Sequence, residues 1–177
     1  MPRHHTRHLD YFKNGPDKEL AANWALDWFG WIPGKRESRR FIGQHILHES
    51  GVLSGLPQPD AIAYGGWAID IHPPEGVDRP ELPSYTPYPV PCVYDIPLRS
   101  CISSTVPNLL FAGRDISATH VAFASTRVMA TCAVIGQGVG TAAAYAISQK
   151  LPRRRLHPIQ IRFTRYNSNF CGTIVIW

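Results

Sequence analysis

Gly113-Arg114-Asp115 closes an apolar run that begins at Asn108, and a stretch of small residues follows to Ser125. Glycine lets a ligand approach the backbone closely. The Asp115 carboxylate can accept hydrogen bonds from sugar-like hydroxyls. An apolar run ended by glycine reads as a buried parallel strand. In open α/β sheets, ligands bind outside the carboxyl ends of such strands. A plain strand-end turn with a solvated Asp115 accounts for the same residues. Next, a long helix is expected from Thr126 to Gln149, with Ser125 as N-cap and Arg127, Val128 and Met129 in its first turn. The free N–H groups and partial positive charge at that end can stabilise negative charge on a bound group. An arginine there is unfavourable to the helix dipole, which hints at a task elsewhere; a solvated Arg127 is the alternative. His120 can move protons near neutral pH and Arg127 can hold a carboxylate. A loop histidine is more often simply hydrogen-bonded.

Other chemistries find less support. His45 and His48 with Glu49 have a spacing that can share one helical face, but no third ligand is evident nearby. A surface reading is better than a zinc site, and no metal is expected. Ser50-Gly51 and Ser54-Gly55 lack the G-x-S-x-G context of a hydrolase. Gly136-Gln137-Gly138-Val139-Gly140 lies inside an Ala-rich helical run, whereas a dinucleotide fingerprint opens a helix after a strand. Cys92, Cys101, Cys132 and Cys171 form no C-x-x-C pair. They read as small buried hydrophobes in a reducing compartment, which favours the cytoplasm, and an iron–sulfur cluster lacks its grouped thiolates. The net charge of +5 comes wholly from Arg153, Arg154, Arg155, Arg162 and Arg165, since the rest of the chain balances. A basic tail is usually solvated, so nucleic-acid binding is the weaker reading.

The elements that would position these residues are partly legible. The composition, 44% hydrophobic and 18% charged, suits a globular domain with a core. No run of about 18 apolar residues marks a membrane span, and the first residues lack the apolar stretch of a secretory signal. Asp17 can cap a helix over 17–30 that carries Leu20, Trp24 and Trp28 on one side. Residues 38–48 fit a strand or a short helix. Residues 57–97 hold ten of the sixteen prolines and read as extended segments and loops. Short strands are expected at 67–71 and 101–106. In the long helix, Ala133, Gly136, Gly140 and Ala144 share a face. Each helical glycine costs about 1 kcal/mol against alanine, so Gly136, Gly138 and Gly140 suggest close approach of a sheet or ligand.

Four ordered segments resemble one family. They are residues 33–43 (Pro33-Gly34-Lys35 to Gly43), 63–74 (Ala63-Tyr64-Gly65-Gly66-Trp67 to Pro74), 94–100 (Tyr94-Asp95-Ile96-Pro97-Leu98-Arg99-Ser100), and 108–143, which runs through Gly113-Arg114-Asp115, His120, Arg127-Val128-Met129 and Gly136-Gln137-Gly138. Together they resemble the FAD-dependent oxidoreductases allied to the fumarate-reductase and glutathione-reductase-like flavoproteins, over about residues 27–150. The resemblance implies an α/β chain. In it, 101–150 form the C-terminal part of a Rossmann-like FAD-binding domain, 16–100 a substrate-side portion, 1–15 a loop or disordered end and 151–177 a divergent basic tail. It implies FAD contact by Gly113, Arg114 and Asp115 at the ribityl and pyrophosphate, and by Arg127, Val128 and Met129 at the flavin ring. The implied chemistry is hydride transfer between a small-molecule substrate and flavin N5, with Arg99, His120 and Arg127 facing the substrate. The family's strand–G-x-G-x-x-G–helix for the ADP moiety has no counterpart in residues 1–35. The expectation is therefore a truncated or frame-shifted product that lacks the N-terminal FAD half and binds FAD weakly or not at all alone. The rival is a non-catalytic remnant or a subunit that completes a flavin site only with a partner chain.

Overall fold

The computed structural model describes residues 9–28, 30 and 39–149. It divides into two units, the first ending at Ser38 and the second beginning at Arg39.

In the first unit, residues 9–14 are helical and residues 15–23 form successive turns. The helix expected over 17–30 does not form. Leu20, Ala21, Ala22 and Trp24 donate to carbonyls three residues back. Leu20, Trp24 and Trp28 are exposed, so the apolar repeat buries little of the surface that would stabilise a short helix. Lys13 Nζ donates instead to the carbonyls of Ala21 and Ala22, at 3.0 and 3.1 Å.

The second unit mixes helices with small sheets. Its order is α1 (Glu49–Ser54), β1 (Ala61–Gly65), β2 (Ile69–Ile71), β3 (Thr86–Tyr88), β4 (Tyr94–Pro97), α2 (His120–Thr126) and α3 (Met129–Ser148). Short 3-10 turns lie at Gly76–Asp78, Leu98–Cys101 and Gly113–Asp115. β1 pairs antiparallel with β4, Tyr64 opposite Asp95, with an irregularity between Ala61 and Ala63. β2 pairs antiparallel with β3, Ile69 opposite Tyr88. The proline-rich stretch thus carries all four described strands. Two-stranded sheets are all edge, and edges tolerate proline. The strand expected at 67–71 is present but shorter.

Three other expectations are corrected. Residues 38–48 form neither strand nor helix over the described part; they make isolated bridges, Gly43 to Ser103 and Leu47 to Ala118. The strand expected at 101–106 is the end of a 3-10 turn followed by single bridges. Residues 108–113 are not a parallel strand. Ser103 Oγ accepts the N–H groups of Thr105 and Val106 and closes a tight turn. The chain then returns antiparallel, Ser103 N–H to Leu109 O at 3.0 Å and Phe111 N–H to Cys101 O at 2.7 Å. A parallel pair needs a long crossover connection; a turn this short permits only the antiparallel return.

The long helix is present as α3 but begins at Met129 rather than Thr126, and the stretch expected as a small-residue loop up to Ser125 carries α2. Thr119 caps α2, its Oγ1 accepting from Ala122 N–H at 3.3 Å. Ser125 is inside α2, not at a cap. Its hydroxyl donates to Trp67 O at 2.5 Å and accepts from Tyr94 OH at 2.7 Å. Burial pushes the Tyr94 phenol up, against the Ser125 bond, so it remains a donor. Arg127 is helical, but Val128 is extended (φ −72°, ψ 149°) and begins α3. The bonds made by Ser125 and Arg127 hold this break against the helical propensity of the run.

The core gathers Leu47, Val52, Ile62, Ile96, Phe123 and Ile135. α3 lies against β1 through Gly138, where a Cβ would overlap the Ile62 carbonyl. Gly136 and Gly140 have open space at the same position. The face of Ala133, Gly136, Gly140 and Ala144 points outward, and the buried side is Thr131, Ile135, Gly138, Val139 and Ala142. By length and composition α3 would suffice to cross a membrane. Counting consecutive apolar residues misses this because Thr131, Gln137 and Thr141 interrupt the run. In this fold its buried side belongs to the core.

Candidate functional site

Ala112 is extended and Gly113 has φ +72°, a left-handed backbone that favours glycine. The turn Gly113–Asp115 that follows leaves Arg114 and Asp115 exposed while Ile116 and Ser117 turn inward. It sits over the first turn of α3. A Cβ on Gly113 would meet only the Cys132 Cβ, at 3.9 Å. Arg114 and Asp115 both act on the Cys132 thiol, in opposite senses, and burial keeps its pKa raised. That thiol donates to Thr126 O at 3.6 Å.

The start of α3 is uncapped. Val128 makes no side-chain cap, and the first turn has no acid. The first intrahelical donor is Cys132, to Val128 O at 2.9 Å. The N–H groups of Met129, Ala130 and Thr131 therefore have no helical acceptor. Met129 is 89% exposed. A glycine-backed turn with an outward carboxylate thus adjoins a bare N-terminus of a 20-residue helix. Such amides and the helix dipole suit an electron-rich group, and the carboxylate suits hydroxyls. This donor set fits the ribityl and ring portion of a flavin.

The three substrate-facing candidates are not brought together. Arg127 Nη2 donates to Asp70 O at 2.7 Å and lies 3.5 Å from Asp70 Oδ2, with the guanidinium over the Phe123 ring. Its side chain is 11% exposed. His72 lies beside the network, with Nε2 3.3 Å from Asp70 Oδ1 and Nδ1 2.9 Å from Ser84 O. Arg127 precedes α3 and is not in its first turn. His120 opens α2 at the other end, about 10 Å away by helical rise. There Thr119 Oγ1 donates to Glu49 Oε2 at 3.1 Å. Bonds from its own backbone and from Thr119 lower the pKa of exposed Glu49. Arg99 is held by Asp60 at the end of β4. Sequence reasoning missed Asp60 and Asp70. The alternation Ile69-Asp70-Ile71 was the available signal for Asp70, since it turns the acid off the core face.

A family model for FAD-dependent oxidoreductases matches residues 3–164. The chain belongs to the FAD-dependent oxidoreductase family. FAD is the cofactor this membership implies, and the role is that of a flavin oxidoreductase. The match runs past both ends of the 27–150 stretch and takes in part of the basic segment after Leu151, which the motifs alone had set apart. No curated protein and no solved structure matches the chain.

Proposed function

We propose that this FAD-dependent oxidoreductase transfers a hydride between a small-molecule substrate and flavin N5, and that the chain supplies the flavin-ring and ribityl half of the site. The observation carrying this reading is the bare N-terminus of α3 beside Gly113-Arg114-Asp115. Bound FAD supplies two-electron chemistry at its ring. The amides of Met129 and Ala130 hold negative charge at the ring edge, and Asp115 accepts from ribityl hydroxyls. Arg127 acts through Asp70 by fixing the α2–α3 break, and so the position of those amides. His120 handles a proton and Arg99 faces the substrate. The ADP half, in a Rossmann-like arrangement akin to that of fumarate-reductase and glutathione-reductase-like flavoproteins, is contributed by a further N-terminal segment or a partner chain. The support is that residues 1–35 contain no strand–G-x-G-x-x-G–helix.

Val128→Asp tests this. Aspartate is a good N-cap and is expected to stabilise α3 by about 1 kcal/mol. Its charge and its claim on the free amides oppose a flavin at the same place. The expected result is a higher unfolding midpoint with weaker flavin binding, read by flavin fluorescence. Flavin binding unchanged in a stabilised Val128→Asp protein refutes the placement.

A further inference from the structure

Two half-buried groups at the end of β4 have hydrogen-bonding capacity left over. Asp60 immediately precedes β1, and its Oδ2 accepts the Arg99 backbone N–H at 2.9 Å and Arg99 Nε at 3.0 Å. Arg99 Nη2 reaches only Gln58 Oε1, at 3.5 Å. Among the described residues, the other Nη hydrogens have no acceptor. His45 is adjacent, its backbone N–H donating to Arg99 O at 3.2 Å. Its ring feels the charges of Arg99, Asp60 and His48 and makes no hydrogen bond among the described residues. The Arg99 side chain is 29% exposed and His45 is half-buried. Both are open to a solute yet partly stripped of water.

We propose that Arg99 and His45 form a binding site for a small carboxylate, with Asp60 as the positioning residue. A guanidinium pinned through Nε presents its Nη groups as a planar fork, which matches two carboxylate oxygens. Asp60 offsets much of the Arg99 charge, so further attraction comes from a proton on His45. In the free protein, burial first, then Arg99 and His48, hold His45 below the usual histidine range, and Asp60 opposes them. A carboxylate between Arg99 and His45 adds a negative neighbour and raises that value. Binding and protonation then favour each other, so binding strengthens as pH falls. The inference rests on the reading in which Arg99 faces the substrate, and it makes that substrate a carboxylate.

The test is an NMR pH titration of His45 in the full chain, in succinate and in chloride at equal ionic strength. The expected result is a higher His45 midpoint in succinate. Succinate affinity then falls by up to about tenfold per pH unit between the free and bound midpoints. Arg99→Ala abolishes the succinate-specific shift. His45→Asn, which serves also where Arg99→Ala does not fold, removes the pH dependence. An equal His45 midpoint in both salts, or a pH-independent succinate affinity in the unmutated chain, overturns the proposal. No flavin enters these measurements, so their failure leaves the flavin reading to its own test.

Discussion

Arg127 shows how a residue type can be read correctly and its task misplaced. The sequence marks it as unusual because a cation at a helix N-terminus is disfavoured. The structure resolves the tension by ending α2 at Thr126 and starting α3 after Val128, so the guanidinium leaves the dipole and binds Asp70. A hydrogen bond to a charged group in a partly buried setting is worth about 1.5–3 kcal/mol. Arg127→Ala is therefore expected to lower stability by that order in chemical denaturation, whereas Asp70→Asn, which keeps the accepting backbone carbonyl, is expected to cost less. A loss no larger than that of an exposed arginine, such as Arg79→Ala, would show that the brace is not structural. Gly113 is a different case. A turn was one of the two readings that a glycine closing an apolar run allowed, and its backbone there is left-handed.

At the scale of elements, the chain's α3 was legible in length and apolar character, while its boundary and facing were not. Local pattern favoured one helix from Thr126 with Ser125 as cap. Partners distant in sequence, Trp67, Tyr94 and Asp70, decided otherwise. The facing failed for a related reason. Small residues at helical spacing fit a close contact, but of the three glycines in α3 only Gly138 meets one, at the Ile62 carbonyl. Gly138→Ala is accordingly expected to destabilise by about 1–3 kcal/mol through overpacking. Gly140→Ala is expected to stabilise by up to about 1 kcal/mol through helix propensity. Thermal unfolding of the two variants checks the sign of each. The same sign for both would contradict the placement of α3. The strands among the prolines were illegible because ladders of three or four residue pairs are too short for a periodic signal and edge positions accept Pro87.

At the scale of the whole molecule, the described second unit has its own core yet leaves much apolar surface open. Met129 and Ile147 are exposed on an α3 that carries no charged residue. The family's cofactor spans a ring, a ribityl chain and an ADP group, and we propose the site among the described residues for the first two. The direct measurement is a binding series of riboflavin, FMN and FAD on the chain, by flavin fluorescence, with ADP as competitor. With the ADP half supplied from elsewhere, the three flavins should bind weakly and within about threefold of one another (about 0.7 kcal/mol), and ADP should not compete. FAD binding about a hundredfold tighter than riboflavin (about 2.7 kcal/mol), or competition by ADP, would contradict the account.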